Sequence, residues 1–436
     1  MTTDSLDFPS FKIRLEALCT PKKMPLIQSG AWAIWENKLI IFGGRIEGFH
    51  GLNQLHSIFN QSMVNKSIWA IDLQTFDALE LKLDPDSTEW AQLFSSNMQF
   101  EQEGSTLYVV GGYGAKSPKD KRSDDTFDTL MAFDLPKLLH EISTNGDPSQ
   151  ALISKVCSPH LKVTGGEMVK IDDLFYLSFG QCFEGVYDPG KSGLYTEAIR
   201  VFRLKGDEIE LVQEIKDPNL HRRDLNVVKL YQKDKTLLAG LGGVFDPNGN
   251  GYYHPVYLDP SQKNPQVIVD SLKQVTNQYN CAKASIFDKD SNSCYTVLLG
   301  GIGQNQFHVE TNSWENGDRG AKIPFVKTIT QMIYSNGHMH QFIQTPPSDP
   351  EMPDLLGANG IFIPEPDLLL KDQLIDYSKI KEDTTTIGLF YGGILSEKPT
   401  SSAIYPTKVN QTIYRVVLEK TEAKNFQVLT RTSIQS

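Results

Sequence analysis

The stretch LIIFGGRIEGFHG at residues 39–51 is a short apolar run that ends in two glycines and continues into a polar loop. The same arrangement returns five times along the chain. The six copies are LIIFGG at 39–44, LYVVGG at 107–112, FYLSFG at 175–180, LAGLGG at 238–243, TVLLGG at 296–301 and GLFYGG at 388–393. A single Gly-Gly pair carries little information, but six copies that each close an apolar run indicate an internal repeat.

Each copy lies within a longer unit of four predicted strands. A strand-like stretch and a polar turn precede each glycine motif, and two further runs follow it after a loop. These runs are short, rich in β-branched and aromatic residues, and separated by turn residues. Only DLPKLLHEIS at 134–143 has a helical pattern. The sequence therefore predicts an all-β chain in which four strands are repeated six times.

Four antiparallel strands repeated around an axis predict a six-bladed β-propeller. Glycine suits the crowded end of the second strand, because it lets neighbouring backbone approach and adopts positive φ. No Lys-Ser or Lys-Thr follows the glycines, so a phosphate-binding loop is not predicted. We expect one propeller domain over 1–436. Its approximate blades are 27–90, 91–160, 161–220, 221–275, 276–355 and 356–436.

The repeated unit resembles the kelch repeat and the galactose-oxidase-like central domain over roughly residues 27–436. It shares the apolar run, the glycine pair, the loop and an aromatic residue in the third strand. These aromatic residues are Trp69, Phe133, Phe202, Tyr257, Tyr334 and Tyr414. The units are longer than the kelch repeat of about 50 residues, lack the usual tryptophan in the fourth strand, and read Phe-Gly-Gln in the third motif. The resemblance thus implies a divergent kelch-like propeller.

Two segments compete for the outer strand of the sixth blade. FQVLTRT at 426–432 fits the fourth strand, in which case FKIRLEAL at 11–18 adds an extra edge. In kelch-like propellers one terminus often completes the blade that the other terminus builds. We expect the segment 11–18 to close the ring.

Charge and composition restrict the partners. The net charge is −11 and the pI is about 5.4, so the surface repels phosphate backbones and no nucleic-acid partner is expected. No run of eighteen apolar residues predicts a transmembrane segment. The start MTTDSLDFPS has no signal-peptide pattern. We expect a monomer, and prefer a secreted or periplasmic location, after signal removal, to a cytoplasmic one.

The five cysteines form no CxxC motif, so neither a zinc knuckle nor a full disulfide framework is predicted. Buried thiols are expected, with room for one bridge. No cofactor or metal is expected. His338 and His340 have the spacing of strand neighbours, which metals use, but no third ligand is nearby in sequence. We interpret them as a solvent-facing pair.

The loops between the second and third strands are the long ones, and we call them b–c loops. They run over 45–66, 113–128, 181–197, 244–253, 302–328 and 394–411. In a propeller all six project from one face, the b–c loop face. Long ordered loops commonly carry function. The sequence therefore predicts a binding site for a carbohydrate or protein ligand on this face.

Three b–c loops place an aromatic residue beside a charged residue or an imidazole. The pairs are Phe49–His50, Phe183–Glu184 and Tyr253–His254. Exposed aromatic rings suit sugar stacking or a protein hot spot, and we expect the pairs to converge near the axis. The alternative is that these rings pack the loops onto the propeller.

HRRDLN at 221–226 begins the fourth unit and points Arg222 and Arg223 toward the predicted channel mouth. Two arginines with Asp224 suit a carboxylate or uronate. The alternative is a solvated turn whose charges satisfy one another.

No catalytic triad motif is present, so a non-catalytic binding propeller is the leading function and no catalytic residue is assigned. The alternative is a carbohydrate-active enzyme at the channel mouth, either a sugar epimerase or mutarotase of the kelch-like sialic-acid type, or a lyase. A remote alternative is the copper-radical oxidase of the resembled family. For that chemistry the sequence offers only Tyr253, His254 and Cys182.

Overall fold

The structure is a computed structural model. It describes residues 11–21, 23–49, 59–117, 119–120, 123–188, 193–232, 235–303, 305–308, 311, 313–316, 324–344, 349–371, 373–400, 406–421 and 427–428. The described chain is all-β apart from one α-helix, Leu135–Thr144, which confirms the helical pattern seen in the sequence. Asp134 caps the start of this helix by accepting a hydrogen bond from the Lys137 amide, and Asn145 ends it in the left-handed conformation.

Six sheets, each built on four antiparallel strands, account for most of the described strands, and we number them one to six along the chain. In each sheet, four neighbouring strands follow one another in the hydrogen-bonded order a, b, c, d, from the channel outward. Sheet one is Ala31–Trp35, Lys38–Phe42, Ser67–Asp72 and Ala78–Lys82. Sheet two is Gln99–Glu103, Thr106–Val110, Thr129–Asp134 and Leu152–Cys157. Sheet three is Glu167–Ile171, Leu174–Ser178, Ala198–Lys205 and Glu208–Lys216.

The second half of the chain repeats this order. Sheet four is Asn226–Tyr231, Thr236–Leu241, Val256–Leu258 and Ile268–Val269. Sheet five contains Ala282–Asp288, Ser293–Ile302, Phe325–Ser335 and His338–Gln344. Sheet six is Gly360–Pro364, Thr384–Gly392, Ile413–Lys420 and, as its outer strand, Phe11–Cys19.

The two ends of the described chain lie on neighbouring sheets. Phe11–Cys19 pairs antiparallel with Ile413–Lys420 of sheet six, which is the ring-closing position considered for 11–18. Gln427–Val428 instead pairs with His338–Gln344 and extends the outer edge of sheet five. Gln427–Val428, the described part of FQVLTRT, therefore does not supply the fourth strand of sheet six.

The b–c loops carry secondary structure of their own. Small hairpins or sheets are formed by Tyr113–Ala115 with Asp124–Thr126, Gln181–Cys182 with Leu194–Tyr195, Asn305–His308 with Ser313–Asn316, and Ile394–Ser396 between Leu355–Leu356 and Thr407–Val409. Short 3-10 turns lie at Gln61–Met63, Ala91–Phe94, Pro148–Ala151, Pro159–Leu161, Pro218–Leu220, Pro366–Leu368 and Tyr377–Lys379.

The hydrophobic core lies between neighbouring sheets. Separate buried clusters join sheets one and two, two and three, three and four, four and five, five and six, and six and one. Aromatic residues of the third strands contribute to them, such as Phe133, whose ring centroid is 5.8 Å from that of Phe42. Each sheet thus packs against a neighbour on both faces, and both faces need apolar side chains.

The paired glycines stand where neighbouring sheets approach each other. Gly111 and Gly112 both have positive φ, and a Cβ on Gly111 would lie 2.0 Å from the Val163 carbonyl oxygen. The Gly112 amide donates a hydrogen bond to that same oxygen at 2.9 Å. In the third motif Phe179 occupies the first position with a φ of 64°.

The a strands begin at a closed circle of hydrogen bonds. Five backbone amides each donate to a carbonyl of the preceding sheet at 2.7–3.3 Å, and the Asn359 side chain completes the circle by donating to Ser29 Oγ at 2.8 Å. We call this circle the entry ring. Its members are Ser29, Asn97, Gly165, Asp224, Asn280 and Asn359. The circle fixes the a strands around one central channel.

The central channel encloses a cavity of about 550 Å³ that is lined by the a strands of all six sheets. All five cysteines are free thiols, so the structure contains no disulfide bridge; Cys281 and Cys294 are buried.

Candidate functional site

Arg223 and Asp224 lie at the mouth of the channel, where sheet four begins. Asp224 belongs to the entry ring and has a φ of 51°, and the backbone of Arg223 pairs with Val244 at the start of a b–c loop. The two side chains form an ion pair with 3.4 Å between Arg223 Nε and Asp224 Oδ2. Arg223 Nη1 also donates a hydrogen bond to Gln181 Oε1 at 2.6 Å. The start of sheet four thus places a charged pair at the channel mouth, beside the b–c loops of sheets three and four.

Aromatic rings hold the Arg223 guanidinium in place. Its central carbon lies 5.6 Å from the ring centroid of Tyr195 and 5.3 Å from that of Phe245, within cation–π range. Tyr195 in turn stacks on His221 with 3.8 Å between ring centroids. The side chain of Arg223 keeps 14% of its surface exposed. The guanidinium is thus oriented by its neighbours, in a side chain that keeps a small part of its surface in contact with solvent.

The Asp224 carboxyl faces the channel cavity and accepts a hydrogen bond from the Tyr279 hydroxyl at 2.8 Å. Burial raises the pKa of Asp224, although Arg223 and the Tyr279 hydroxyl both favour the ionised form. Burial next to this carboxyl also raises the pKa of Tyr279 well above its usual value. A buried carboxyl with a raised pKa beside a cavity is suited to proton transfer.

A cluster of aromatic rings borders this charged pair. The Tyr187 ring centroid lies 5.0 Å from both Phe59 and Phe183, and burial raises the pKa of its hydroxyl, which is hydrogen-bonded to Arg223. Tyr113 lies against the same rings, and its hydroxyl donates to the Gly185 carbonyl oxygen at 2.7 Å. These contacts join the b–c loops of sheets one, two and three.

Arg222 takes a different position from its neighbour. Only 1% of its surface is exposed, and its guanidinium donates to the carbonyl oxygens of Asn219, Gly242 and His254 at 2.9–3.1 Å. Its central carbon lies 4.5 Å from the Tyr252 ring, and burial lowers its pKa to about 10. The Arg222 guanidinium therefore stabilises the backbone segments around it, and we do not retain Arg222 as a ligand-binding residue.

The three aromatic pairs expected from the sequence have separate surroundings. Phe49 packs edge-on against Phe325 with 6.3 Å between centroids, and its amide donates to Thr407 Oγ1 at 2.6 Å. Its predicted partner, His50, lies outside the described residues. The described contacts of Phe49 are thus with the loops of sheets five and six, which anchor it there.

The other two pairs also lie apart. Phe183 is buried against Tyr113, and Glu184 is exposed and ion-paired with Lys162 at 2.6 Å. The Tyr253 ring lies 5.1 Å from Lys273 Nζ, and His254 Nδ1 lies 3.1 Å from the Asp270 carbonyl oxygen. None of these contacts joins one pair to another. Among the described residues, the contacts given above do not link the three pairs to one another, so their convergence stays a prediction.

Tyr195, Tyr279 and Gln181 complete the site, and the sequence analysis did not single them out. They come from sheets three and five, so only tertiary packing brings them to Arg223. Gln181 directly follows a glycine motif and Tyr279 lies just before an a strand, whereas Tyr195 lies within a b–c loop and had no such local signal.

The described residues contain no group of three or more His, Cys, Asp or Glu placed to hold a metal ion. His338 is exposed and His340 is half-buried, where burial and the neighbouring His338 lower its pKa. Cys182 lies beside Lys162 and Thr126, whereas Tyr253 lies beside Lys273. Of the helices in the described part of the chain, none has the length and apolar character needed to cross a membrane.

No protein-family model matches the sequence, and no curated protein matches it. Among solved structures, the chain is similar to the one titled "Structure of YjhT", with a TM-score of 0.50 and 14% sequence identity. The similarity covers 93% of this chain and 98% of that chain. YjhT is a propeller-type protein. At this identity the likeness concerns the fold alone, and it extends over nearly the whole of both chains.

Proposed function

We propose that the chain is a six-bladed kelch-like propeller that binds an acidic carbohydrate, without converting it, at the channel mouth on the b–c loop face. The observation that carries the proposal is the Arg223 side chain, which is 14% exposed and whose guanidinium lies against the rings of Tyr195 and Phe245 beside the b–c loops of sheets three and four.

The six sheets are the blades in this proposal. Support comes from the entry ring, which links one residue from the start of each sheet. Further support comes from the six core clusters, each of which joins two consecutive sheets and the last of which joins sheet six to sheet one. The paired left-handed residues at the end of every b strand match the glycine motif of the kelch-like repeat.

A carboxylate is the ligand group that a positioned guanidinium recognises best. A guanidinium presents five N–H donors in a planar fork, which is more than Gln181, Asp224 and Tyr187 take up, and it binds carboxylates in a two-point geometry. The Asp224 carboxyl next to it suits sugar hydroxyls, and the rings of Tyr187 and Tyr195 suit the apolar face of a sugar. A uronate or a sialic acid combines these three groups.

Titration calorimetry with glucuronate, galacturonate and N-acetylneuraminate tests the proposal, with galactose as the neutral comparison. We expect saturable binding of at least one acidic sugar and at least tenfold weaker binding of galactose. Arg223→Met should weaken acidic-sugar binding at least tenfold, whereas Arg203→Met should leave it unchanged. Arg203 is the matched control because its guanidinium also forms ion pairs, with Asp173 and Glu210, away from the channel. Equal binding by the two variants, or no binding of any acidic sugar, would overturn the proposal.

A carbohydrate-active enzyme is the second candidate, and the environment of Asp224 favours it. A carboxyl with a raised pKa that faces the cavity and contacts the Tyr279 hydroxyl resembles a general acid or base. In that case NMR should detect epimerisation, anomer exchange or elimination of the bound sugar faster than in buffer. Asp224→Asn should abolish the acceleration while sugar binding persists. A rate equal to buffer for all three sugars would exclude this candidate.

A further inference from the structure

Below the entry ring the channel has two chemically different walls. One wall is apolar and comes from sheets one, two and six, with Trp32, Ile34, Phe100 and Ile361 lining the cavity. The rings of Trp32 and Phe100 meet edge-on with 5.8 Å between centroids, and Trp32, Ile34 and Phe100 are only half-buried. Apolar side chains that face a water-accessible cavity gain free energy when a ligand covers them.

The opposite wall carries charged side chains that form ion pairs with one another. Glu167 of sheet three pairs with Lys283 of sheet five, and Glu101 of sheet two pairs with Lys229 of sheet four. In each pair Nζ and Oε1 are 2.9 Å apart, and the two residues come from sheets separated by one other sheet. Two acids and two bases cancel, so this wall offers polar atoms for hydrogen bonds without a net charge that calls for a counter-ion.

The insertion after the a strand of sheet six forms part of the channel floor. Its hairpin of Leu369–Lys371 and Leu374–Asp376 adds to the a strand of sheet five, where Ser285 pairs parallel with Leu374. Lys371 then reaches sheet four, with its Nζ 4.3 Å from the Tyr231 ring. The hairpin therefore covers the floor beside sheets four, five and six.

The described residues leave the floor uncovered beside sheets one and two. Glu36 and Gly104, in the turns after the a strands of these sheets, line the cavity and are exposed, as is Gln373 in the turn of the hairpin. This opening lies at the end of the channel opposite the b–c loops. A small molecule has access to the apolar wall from this side.

We propose that the lower channel is a second binding site, which takes an uncharged amphipathic small molecule from the face opposite the b–c loops. Its apolar ring lies against Trp32 and Phe100, and its hydrogen-bonding end faces the ion pairs of Glu101 and Glu167. The whole channel cavity, from the entry ring to the floor, has a volume of about 550 Å³, which falls within the range of small-molecule sites. The neutralised polar wall favours an uncharged ligand, so this site differs from the acidic-sugar site proposed at the channel mouth in the ligand it takes.

The uncharged fluorophore N-phenyl-1-naphthylamine is a suitable probe, because its emission rises in apolar surroundings. Titration into the full-length protein should give saturable binding of one dye per chain, with energy transfer from tryptophan. Ser285→Phe places a ring in the cavity and should weaken dye binding at least tenfold. Gln373→Trp, in the exposed turn of the hairpin, should slow dye association at least fivefold without affecting folding.

Leu194→Ala is the control for dye binding elsewhere, since Leu194 is the most exposed of the large hydrophobic residues in the described chain and lies in a b–c loop. It should leave dye binding unchanged. The proposal fails if binding is not saturable, if Leu194→Ala removes it, or if neither Ser285→Phe nor Gln373→Trp alters it. Acidic-sugar binding measured on Ser285→Phe keeps the two sites distinct: it should persist there, and it should be lost in Arg223→Met while dye binding remains.

Discussion

Lys229 and Glu101 form an ion pair between two sheets that are not neighbours. Lys229 Nζ, from the a strand of sheet four, lies 2.9 Å from Glu101 Oε1, from the a strand of sheet two. Sheet three lies between them and contributes its Lys170 amide, which donates to the same oxygen at 3.1 Å. Three consecutive sheets are thereby connected through one carboxylate. The channel is therefore braced from within as well as at the entry ring.

Lys229→Met should destabilise the fold. Both side chains of the pair are mostly buried, at 17% and 20% exposure, so removing the ammonium leaves a carboxylate with little water around it. We expect a loss of about 2 kcal/mol, between the values typical of exposed and fully buried pairs. Urea unfolding measures it. Lys205→Met is the matched control, because the Lys205–Glu210 pair has the same 2.9 Å distance but is largely exposed. Equal effects of the two substitutions would show that the channel pair does not brace the sheets.

Gly111→Ala should be among the most damaging single-methyl substitutions in the chain. Its φ of 66° disfavours a side chain, and the new Cβ would meet the Val163 carbonyl oxygen at 2.0 Å. Left-handed strain and overpacking together give an expected loss of about 3–5 kcal/mol. Gly104→Ala isolates the first effect, because Gly104 has a φ of 54° and nothing within 4 Å of its Cβ position. It should cost about 1 kcal/mol. If the two variants lost similar amounts of stability, the close approach of Val163 to Gly111 would not be what restricts this position.

The glycine motifs were readable from the sequence because they report a local need. Two left-handed residues must end each b strand, and glycine is the residue that adopts this conformation freely. The strand pattern around the motifs is equally local, so the a, b and c strands of the sheets were predicted at the correct places. The aromatic residues of the third strands follow the same periodicity.

The parts that sequence reasoning missed depend on contacts between distant residues. Nothing within 426–432 indicates that Gln427–Val428 pairs with the outer edge of sheet five. Likewise, Arg222 and Arg223 are neighbours with the same chemistry. They differ because folding brings the carbonyl oxygens of Gly242 and His254 to the Arg222 guanidinium, which is buried there.

Phe179→Gly should destabilise the protein even though it restores the glycine motif. The substitution removes the left-handed strain of a non-glycine residue, which is worth about 1–2 kcal/mol. It also deletes a buried ring that packs over Gly240, where a Cβ would lie 2.6 Å from the ring. Loss of a buried phenylalanine costs about 3–5 kcal/mol, so packing should exceed strain and leave a net loss.

Thermal unfolding of Phe179→Gly and Phe179→Leu separates these two effects. Phe179→Leu keeps the strain and part of the volume, so it should be destabilised less than the glycine variant. A glycine variant more stable than the parent would show that the strain at this position is greater than the packing it permits.

The stability of the protein should fall as the pH rises from about 4 to about 6, through Asp124. Its carboxyl, in the b–c loop of sheet two, is buried, and this burial raises its pKa to about 6. Arg45 and the hydrogen bond from Gln61 favour ionisation but do not offset the burial, and Asp120 adds to the rise. Between the unfolded pKa, near 4, and the folded pKa the folded state keeps a proton that the unfolded state has lost. Raising the pH through this window therefore favours unfolding.

Asp124→Asn removes this titration and should be more stable than the parent at pH 8, by about 2–3 kcal/mol, while the two proteins converge near pH 4. Urea unfolding at pH 4.5 and pH 8 measures the difference. Asp72→Asn is the control of opposite sign. The Lys38 ammonium and nearby backbone amides lower the pKa of Asp72 to about 2, so this carboxyl is ionised in both states over most of the range and its stabilising effect is lost only in stronger acid. The stability difference between Asp72→Asn and the parent should thus change little between pH 5 and pH 8. If Asp124→Asn showed the same flat profile, Asp124 would not hold a proton in the folded protein at pH 5.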